Sequence, residues 1–249
     1  MRNGVVVVTG GGRGIGAAVC RLAGAAGYDV VVNYAADRAA ADGVVAEIEA
    51  AGGRAVAVGA DVADEAEVDR LFKAADELGV LAGLVNNAGI TGNTPGRLDE
   101  QDVDVVRRML DVNVTGVFLC ARAAVRRMSI RYGGPGGAIV NVSSAAARLG
   151  GPGEWVMYAG SKAAVETMTV GLAKEVGTEG IRVNAVSPGV VETDLHAAAG
   201  LPDRPSRLAQ LIPMGRPGQP VEIAEGILWL LSPSASYVTG AVLNISGGR

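Results

Sequence analysis

The chain has 249 residues, 49% of them hydrophobic and 19% charged, with a formal charge of −4 at pH 7. Disordered chains pair low hydrophobicity with high net charge, so this one is expected to fold, and its mildly acidic balance argues against a nucleic-acid binder that works through a basic face. Glycine is the outlier: 37 of 249 residues is about 15%, roughly twice the usual ~7%, without a collagen period. Glycine is therefore expected to serve local geometry. Cys20 and Cys120 are the only cysteines and form no C-x-x-C pair, so neither a metal site nor a disulfide framework is expected. The opening run of four valines is too short for a signal-peptide core or a membrane span, which points to a cytoplasmic protein without a membrane partner.

Short β-branched runs alternate with longer helical patterns, the signature of a parallel sheet with crossover helices. A first strand is expected over 5–8. It runs into Thr9-Gly10-Gly11-Gly12-Arg13-Gly14-Ile15-Gly16, and a helix over 15–26 follows at once. Glycines let the chain reverse tightly and bring backbone N–H groups close to a phosphate, while the helix N-terminus adds partial positive charge. Gly12-x-Gly14-x-x-Ala17 satisfies the dinucleotide fingerprint, and no Gly-Lys-Ser/Thr follows to make a nucleotide triphosphate loop.

The second strand, expected over 29–32, ends in Val32-Asn33-Tyr34, with no acid before Asp37. NAD-binding folds place Asp or Glu near that point on the adenosine ribose. Without it, repulsion against a 2′-phosphate is removed, and Arg13 and Arg38 can supply positive charge, Arg13 the better placed of the two. The expected cofactor is NADP, with NAD possible.

Further strands are expected over 55–58, 83–86, 138–142, 182–186 and 242–245, nearly continuous in apolar residues as strands covered on both faces are. Helices are expected over 36–51, 65–78, 102–132, 155–176 and 221–231. The whole chain, 1–249, is read as one domain. Residues 133–137 read as a plain surface turn. Residues 188–220, with Pro202, Pro205, Pro213 and Pro217, read as an irregular substrate loop.

Along this frame stand, in order, Thr9-Gly10-x-x-x-Gly14-x-Gly16, Asp61-Val62, Asn86-Asn87-Ala88-Gly89, Asn113, Ser143-Ser144, Tyr158-x-x-x-Lys162 and Ser187-Pro188-Gly189. Taken together they resemble the short-chain dehydrogenase/reductase family over nearly the whole chain. The nearest likeness is to its sugar or polyol dehydrogenases and 3-oxoacyl-ACP reductases. The resemblance implies a Rossmann-type, doubly wound α/β fold, with a seven-stranded parallel sheet and helices on both faces, and a homotetramer. It implies a small-molecule carbonyl or alcohol substrate. It carries Gly10, Gly12, Arg13, Gly14, Ile15 and Gly16 to the phosphate turn, Asn33 and Arg38 to the adenosine end, and Asp61 and Val62 to the adenine edge. Asn87, Ala88 and Gly89 go to the adenosine ribose and turn, Pro188, Gly189 and Val191 to the nicotinamide, and Thr193 to its carboxamide. Asp61 has an alternative as N-cap of the helix that begins near Glu65.

A phenol titrates near ~10, so Tyr158 is a poor base unless its phenolate is stabilised. Lys162, four positions on, shares its helical face; lowering the phenol by two to three units corresponds to roughly 3–4 kcal/mol of differential interaction. Ser144 would donate a hydrogen bond to the substrate oxygen. The resemblance implies further that Lys162 holds the nicotinamide ribose and that Asn113 helps place a water linking Lys162 to solvent. Ser144 is preferred over Ser143, with one extra residue placed between Gly150 and Met157. His196 is read as a surface or lid residue. Trp155 and Met157 belong to the pocket or to the core. Arg126, Arg127 and Arg131 are either a docking patch for an acyl carrier or solvated charges. The expected activity is hydride transfer between a carbonyl and an alcohol, with Tyr158 as general acid/base. The alternatives are a non-catalytic NADP-binding sensor or scaffold, or a lyase or epimerase on the same fold.

Overall fold

The structure, a computed structural model, describes residues 3–92 and 95–249, apart from the side chain of His196. Seven strands, β1 (Val5–Val8), β2 (Asp29–Tyr34), β3 (Arg54–Gly59), β4 (Leu81–Asn86), β5 (Gly137–Val142), β6 (Ile181–Pro188) and β7 (Val242–Ile245), pair in parallel in the order β3-β2-β1-β4-β5-β6-β7. The helices are α1 (Gly14–Ala25), α2 (Arg38–Ala50), α3 (Glu65–Leu78), α4 (Val103–Leu110), α5 (Gly116–Met128), α6 (Ala146–Leu149), α7 (Val156–Val176), α8 (Asp194–Ala198), α9 (Arg204–Leu208) and α10 (Pro220–Leu231). All seven expected strands are present.

The four valines of β1 are each at most 1% exposed, because helices cover both faces of the sheet. Val6 and Val8 face α1, α2 and α10, packing with Val19, Val44 and Ile227. Val5 and Val7 face α3 and α5, packing with Leu71, Phe72 and Cys120. Burial of each such side chain contributes roughly 1.5–3 kcal/mol. Strand order reverses between β1 and β4, and at that switch point the carboxyl ends of the strands leave a crevice.

Three aspartates start helices by accepting backbone N–H bonds: Asp37 from Ala40 at 2.9 Å, Asp64 from Glu67 at 3.0 Å and Asp102 from Asp104 at 2.7 Å. The cap of α3 is therefore Asp64, and the N-cap alternative for Asp61 does not hold. Asp61 instead accepts from the Ala63 N–H and pairs with Arg108 at 2.6 Å. The helix expected over 102–132 is divided by a π turn, Asp111–Thr115, a feature that often marks functional positions.

Two loops differ from expectation. Gly134, Gly136 and Gly137 are packed, while Gly133 is open: an added β-carbon at Gly134 would strike the carbonyl of Arg127, and one at Gly137 the sulfur of Met128. The 188–220 segment is irregular only in part, since it holds α8 and α9. Its base is closed by a parallel bridge between Val191 and Gly218, with Glu192 N–H donating to Gly218 O and Gly218 N–H to Val190 O, both at 2.9 Å.

Candidate active site

β1 delivers the chain into Gly10, with φ of 62°, and α1 begins at Gly14, with φ of 51°. Both angles lie in the left-handed region that glycine enters without strain. The turn is braced from both neighbouring strands. On the β2 side, Asn33 Oδ1 accepts from Gly10 N–H at 3.2 Å, and the Asn33 Nδ2 donates to Ala60 O at 2.9 Å. On the β4 side, Asn87 Nδ2 donates to the carbonyls of Thr9 and Gly10, both at 3.0 Å, while Thr9 Oγ1 accepts from the N–H groups of Asn87 and Ala88 at 3.0 Å. A side chain at Gly16 would collide with Gly10 O and the Asn87 amide. The first turn of α1 carries no acidic residue and no side-chain cap, so its N–H groups and partial positive charge remain available to an anion.

A cavity of about 770 Å³ runs from this turn along the strand ends, past Ser144, Tyr158 and Lys162, to the α8–α9 segment. That volume lies within the ~300–1,000 Å³ of small-molecule and cofactor sites. Gly10, Arg13, Gly14 and Ile15 line one end, Asn87, Ala88 and Gly89 the middle, and Pro188, Gly189, Val191 and Thr193 the side under the loop.

Tyr158 and Lys162 lie one turn apart on α7. Lys162 is only 4% exposed; its Nζ donates to Val142 O at 2.8 Å and stands 5.7 Å from the centroid of the Tyr158 ring. Burial lowers the ammonium from its ordinary value to about 8. Burial also pushes the Tyr158 phenol upward, opposed first by the hydrogen bond from Ser144 and then by the positive charge of Arg204. The opposing pull thus comes from Ser144 and Arg204, where the spacing had pointed to Lys162. Ser144 Oγ accepts from Ala146 N–H at 3.1 Å, which leaves its proton for the phenol oxygen. Ser143 is buried and spends its hydroxyl on Glu166 at 2.7 Å, so Ser144 is the serine beside Tyr158.

Asn113 sits in the π turn, 0% exposed. Its Oδ1 accepts from Ile90 N–H, and its Nδ2 donates to Ile90 O, both at 2.9 Å, and to Ser161 Oγ at 3.0 Å. Ser161 in turn donates to the Tyr158 carbonyl at 2.7 Å. Asn113 therefore ties the end of β4 to the helix that carries Tyr158. A β-carbon at Gly89 would lie 3.3 Å from both Asn113 Oδ1 and Lys162 Nζ, so glycine keeps that corner open.

Several expected cofactor residues do not line the cavity. Gly12 packs against the start of α2, and Gly16 against Gly10. Asn33 spends its amide on the turn. Arg38 is exposed and pairs with Asp42 at 3.2 Å. Val62 packs over Gly116, and Asp61 is engaged by Arg108. Arg13 lines the cavity and pairs with Asp37. Trp155 belongs to the wall, whereas Met157 does not. The reading of His196 lies outside the described residues. Thr9 as a brace, Ser161, Glu154 and Arg204 were not foreseen. Thr9 stands in the glycine motif without an assigned role, and Ser161 left a trace as a hydroxyl on the same turn of α7 as Lys162.

Residues 10–249 match the family model described as enoyl-(acyl carrier protein) reductase. A solved structure titled short-chain dehydrogenase/reductase from Serratia marcescens superposes with a TM-score of 0.90 at 38% identity, covering 99% of this chain and 98% of that one. The chain belongs to the short-chain dehydrogenase/reductase family. Among relatives within it, the uncharacterized oxidoreductase YgfF of Escherichia coli is 50% identical over 98% of this chain and 99% of its own. A 3-oxoacyl-[acyl-carrier-protein] reductase of Synechocystis is 43% identical, with 98% and 96% covered. The 3beta-hydroxysteroid dehydrogenase 1 of Eggerthella lenta is 42% identical, with 100% and 94% covered. A metagenomic blue fluorescent protein solved in complex with NADPH gives a TM-score of 0.90 at 37% identity, with 99% and 98% covered. As a family member the chain is an oxidoreductase with the seven-stranded sheet that the sequence motifs implied.

The buried ammonium has a measurable consequence. Because the folded pKa of Lys162 lies near 8 and below its ordinary 10.5, the unfolded chain binds the extra proton between those values. The burial cost is fully present below about pH 8 and fades as pH rises through that window. Replacing the lysine removes the cost but leaves the Val142 carbonyl without its partner, which returns about 1 kcal/mol. Lys162→Met is expected to raise stability at pH 7 by ~1–2 kcal/mol and to abolish the rise in stability between pH 8 and 10.5. Denaturant unfolding across pH checks both.

Proposed function

We propose that the protein is an NADP(H)-dependent oxidoreductase that interconverts a carbonyl and an alcohol, with Tyr158 as its general acid/base. The observation that carries this reading is the single cavity shared by the glycine turn and the Ser144, Tyr158 and Lys162 group. The turn suits a dinucleotide: an uncapped helix start, backbone bared by glycines, and no carboxylate in the first turn of α1. The solved relative that holds NADPH supports the same choice. Backbone groups from Gly10 to Ile15 would hold the phosphates, Arg13 the 2′-phosphate, Asn87 to Gly89 the middle, and Lys162 with Pro188, Gly189, Val191 and Thr193 the nicotinamide end. When bound, the dinucleotide supplies the hydride.

The side chains supply the proton and the electrostatics. In the reducing direction, Tyr158 gives its proton to the substrate oxygen as negative charge gathers there, and Ser144 donates a hydrogen bond to that same oxygen. The hydrogen bond from Ser144 and the charge of Arg204 favour the phenolate left behind. In the oxidising direction the phenolate takes the alcohol proton back. Asn113 keeps α7 in register with the β4 turn, and so holds Tyr158 in place. Relatives of nearly equal likeness carry acyl-thioester and hydroxysteroid names, so overall identity does not select the substrate. An acyl-carrier docking patch finds limited support, because Arg127 is engaged by Asp76 at 2.7 Å and by the Phe72 ring, and Arg131 stacks on Tyr132. A homotetramer fits the exposure of Phe118 on α5 and Val170 on α7. None of the described helices is long and apolar enough to cross a membrane.

Tyr158→Phe is expected to lower kcat at least 1,000-fold, within the roughly 10²–10⁴ range of acid–base catalysis, while NADPH affinity measured by fluorescence stays within about twofold. Persistent carbonyl reduction would overturn the assignment. The ion pair between Arg13 and Asp37 sets a second expectation. Arg13→Ala should weaken NADPH binding by ~10-fold or more and leave NADH nearly unchanged. Asp37→Asn keeps the cap of α2 and frees the guanidinium, so it should tighten NADPH by ~3–10-fold. Isothermal titration with both cofactors reads each change.

A further inference from the structure

Once the charged side chains that line the cavity are paired off, two remain. Arg13 is held by Asp37, Arg204 by Glu154 at 2.5 Å, and the Lys162 ammonium by the Val142 carbonyl at 2.8 Å. Asp194 and Arg249 are left. Asp194 is exposed and stands next to Thr193, whose methyl carbon lies against Gly14, which puts it at the glycine-turn end. Arg249 stands on the Ser144 side. Gly247 and Gly248, with φ of 63° and 94°, turn the chain that leaves β7 and lay it against Ile212 and Pro213. The Arg249 carbonyl then accepts from Ser246 Oγ at 2.7 Å and from Arg148 Nη2 at 3.2 Å. Arg148 belongs to α6, which begins two residues beyond Ser144.

This mooring uses the backbone alone and leaves the Arg249 side chain to the cavity. The residue is half-buried, and among the described residues its guanidinium meets no carboxylate, carbonyl or aromatic ring. A charge in that position gives up part of its hydration and gains no ion pair in return. Its donors form a planar fork that fits a carboxylate and has no acceptor of its own. Because Arg249 is only half-buried, a ligand in the cavity can reach that fork. The wall that α6, α8 and α9 contribute is otherwise largely apolar, carrying Leu149, Leu195, Ala198 and Leu208.

We propose that Arg249 is a specificity-determining residue that pairs with a carboxylate at the end of the substrate remote from the reacting carbonyl. The substrate is then an amphipathic oxo acid, with its ketone at Tyr158, an apolar chain along the leucines and its carboxylate on the guanidinium. The proposal rests on the oxidoreductase reading above and names the substrate end that this reading leaves open. One guanidinium calls for one negative charge. A phosphate monoester brings nearly two, which leaves charge uncompensated in a partly desolvated cavity. A neutral chain end, an ester included, leaves the guanidinium as unpaired as before.

The experiment compares oxo acids of graded length with their neutral counterparts. Reduction of 5-oxohexanoate, 7-oxooctanoate and 9-oxodecanoate by NADPH is measured beside that of their methyl esters and of 6-oxoheptyl phosphate. At the length that fits, the acid is expected to exceed its ester in kcat/KM by ~10-fold or more, the scale of a charge-assisted pair. The difference should lie in KM, with kcat for acid and ester within about threefold. Arg249→Gln should bring acid and ester to parity, Arg249→Lys should keep part of the preference, and added salt should erode it. Arg148→Gln removes a neighbouring exposed charge that does not line the cavity, and should lower the preference less than Arg249→Gln does. Binding is read separately, by isothermal titration of 7-oxooctanoate into the protein loaded with NADP⁺, and should weaken ~10-fold in Arg249→Gln. Acids and esters reduced equally well at every length, or a preference that survives Arg249→Gln, overturns the anion site alone. A phosphate ester reduced better than every oxo acid overturns its assignment to a carboxylate. Binding that depends on Arg249, with no NADPH oxidation by any of these ketones, overturns the oxidoreductase reading and leaves the anion site standing.

Discussion

A lysine ammonium has three N–H donors and a strong preference for water. In this protein Lys162 is buried against the carbonyl of Val142, and burial alone brings it down to about 8. Much of the surrounding architecture serves that placement. α7 is long enough to run from the cavity into the core, and β5 ends where its last carbonyl can receive the ammonium. Gly89 leaves the space that a side chain would take from Nζ. The cost is local, and it holds an ammonium out of solvent 5.7 Å from the Tyr158 ring, where electrostatic effects are larger than in water.

The glycine turn follows the same logic at the other end of the cavity. Backbone N–H groups serve an anion only if nothing covers them, so the supporting side chains approach from behind. Asn33 comes from β2, and Thr9 and Asn87 from the β1 and β4 ends, and between them they take up the turn's inward-facing groups. Asn113 does the equivalent for the helix that carries Tyr158, joining Ile90 to Ser161 through one amide. Two parts of the cavity that come from distant segments are thereby fixed to the same strand end. A hydride donor and a proton donor must meet at one carbonyl, and rigid support of that kind favours it.

Much of this was legible in the sequence because it depends on local rules. Strand positions followed from apolar runs, and the phosphate turn from glycines between a strand and a helix. Tyr158 and Lys162 stood out through the family resemblance of the whole motif set, and their spacing of four put them on one helical face. Asn33, in contrast, near the end of β2, is carried to the adenosine end by the resemblance; only tertiary structure reveals that its amide faces back toward Gly10. The alternative of Asp61 as cap of α3 fails for a related reason, since Asp61 and Asp64 both precede the helix and only backbone geometry distinguishes them. The 188–220 segment hid α8 and α9 because helices of five residues carry no periodic signal. Arg204 on α9 was equally hidden, because its nearness to Trp155 and Tyr158 joins segments about fifty positions apart.

Hydride transfer at the carbon whose oxygen Tyr158 protonates is the central claim, and isotope tracing tests it most directly. Methyl acetoacetate is reduced with NADPH deuterated at the transferring position, and the product is examined by mass spectrometry and NMR. One deuterium per product molecule is expected, located at the carbinol carbon, with the hydroxyl proton drawn from solvent. Product without deuterium, or with deuterium on a neighbouring carbon, would contradict it.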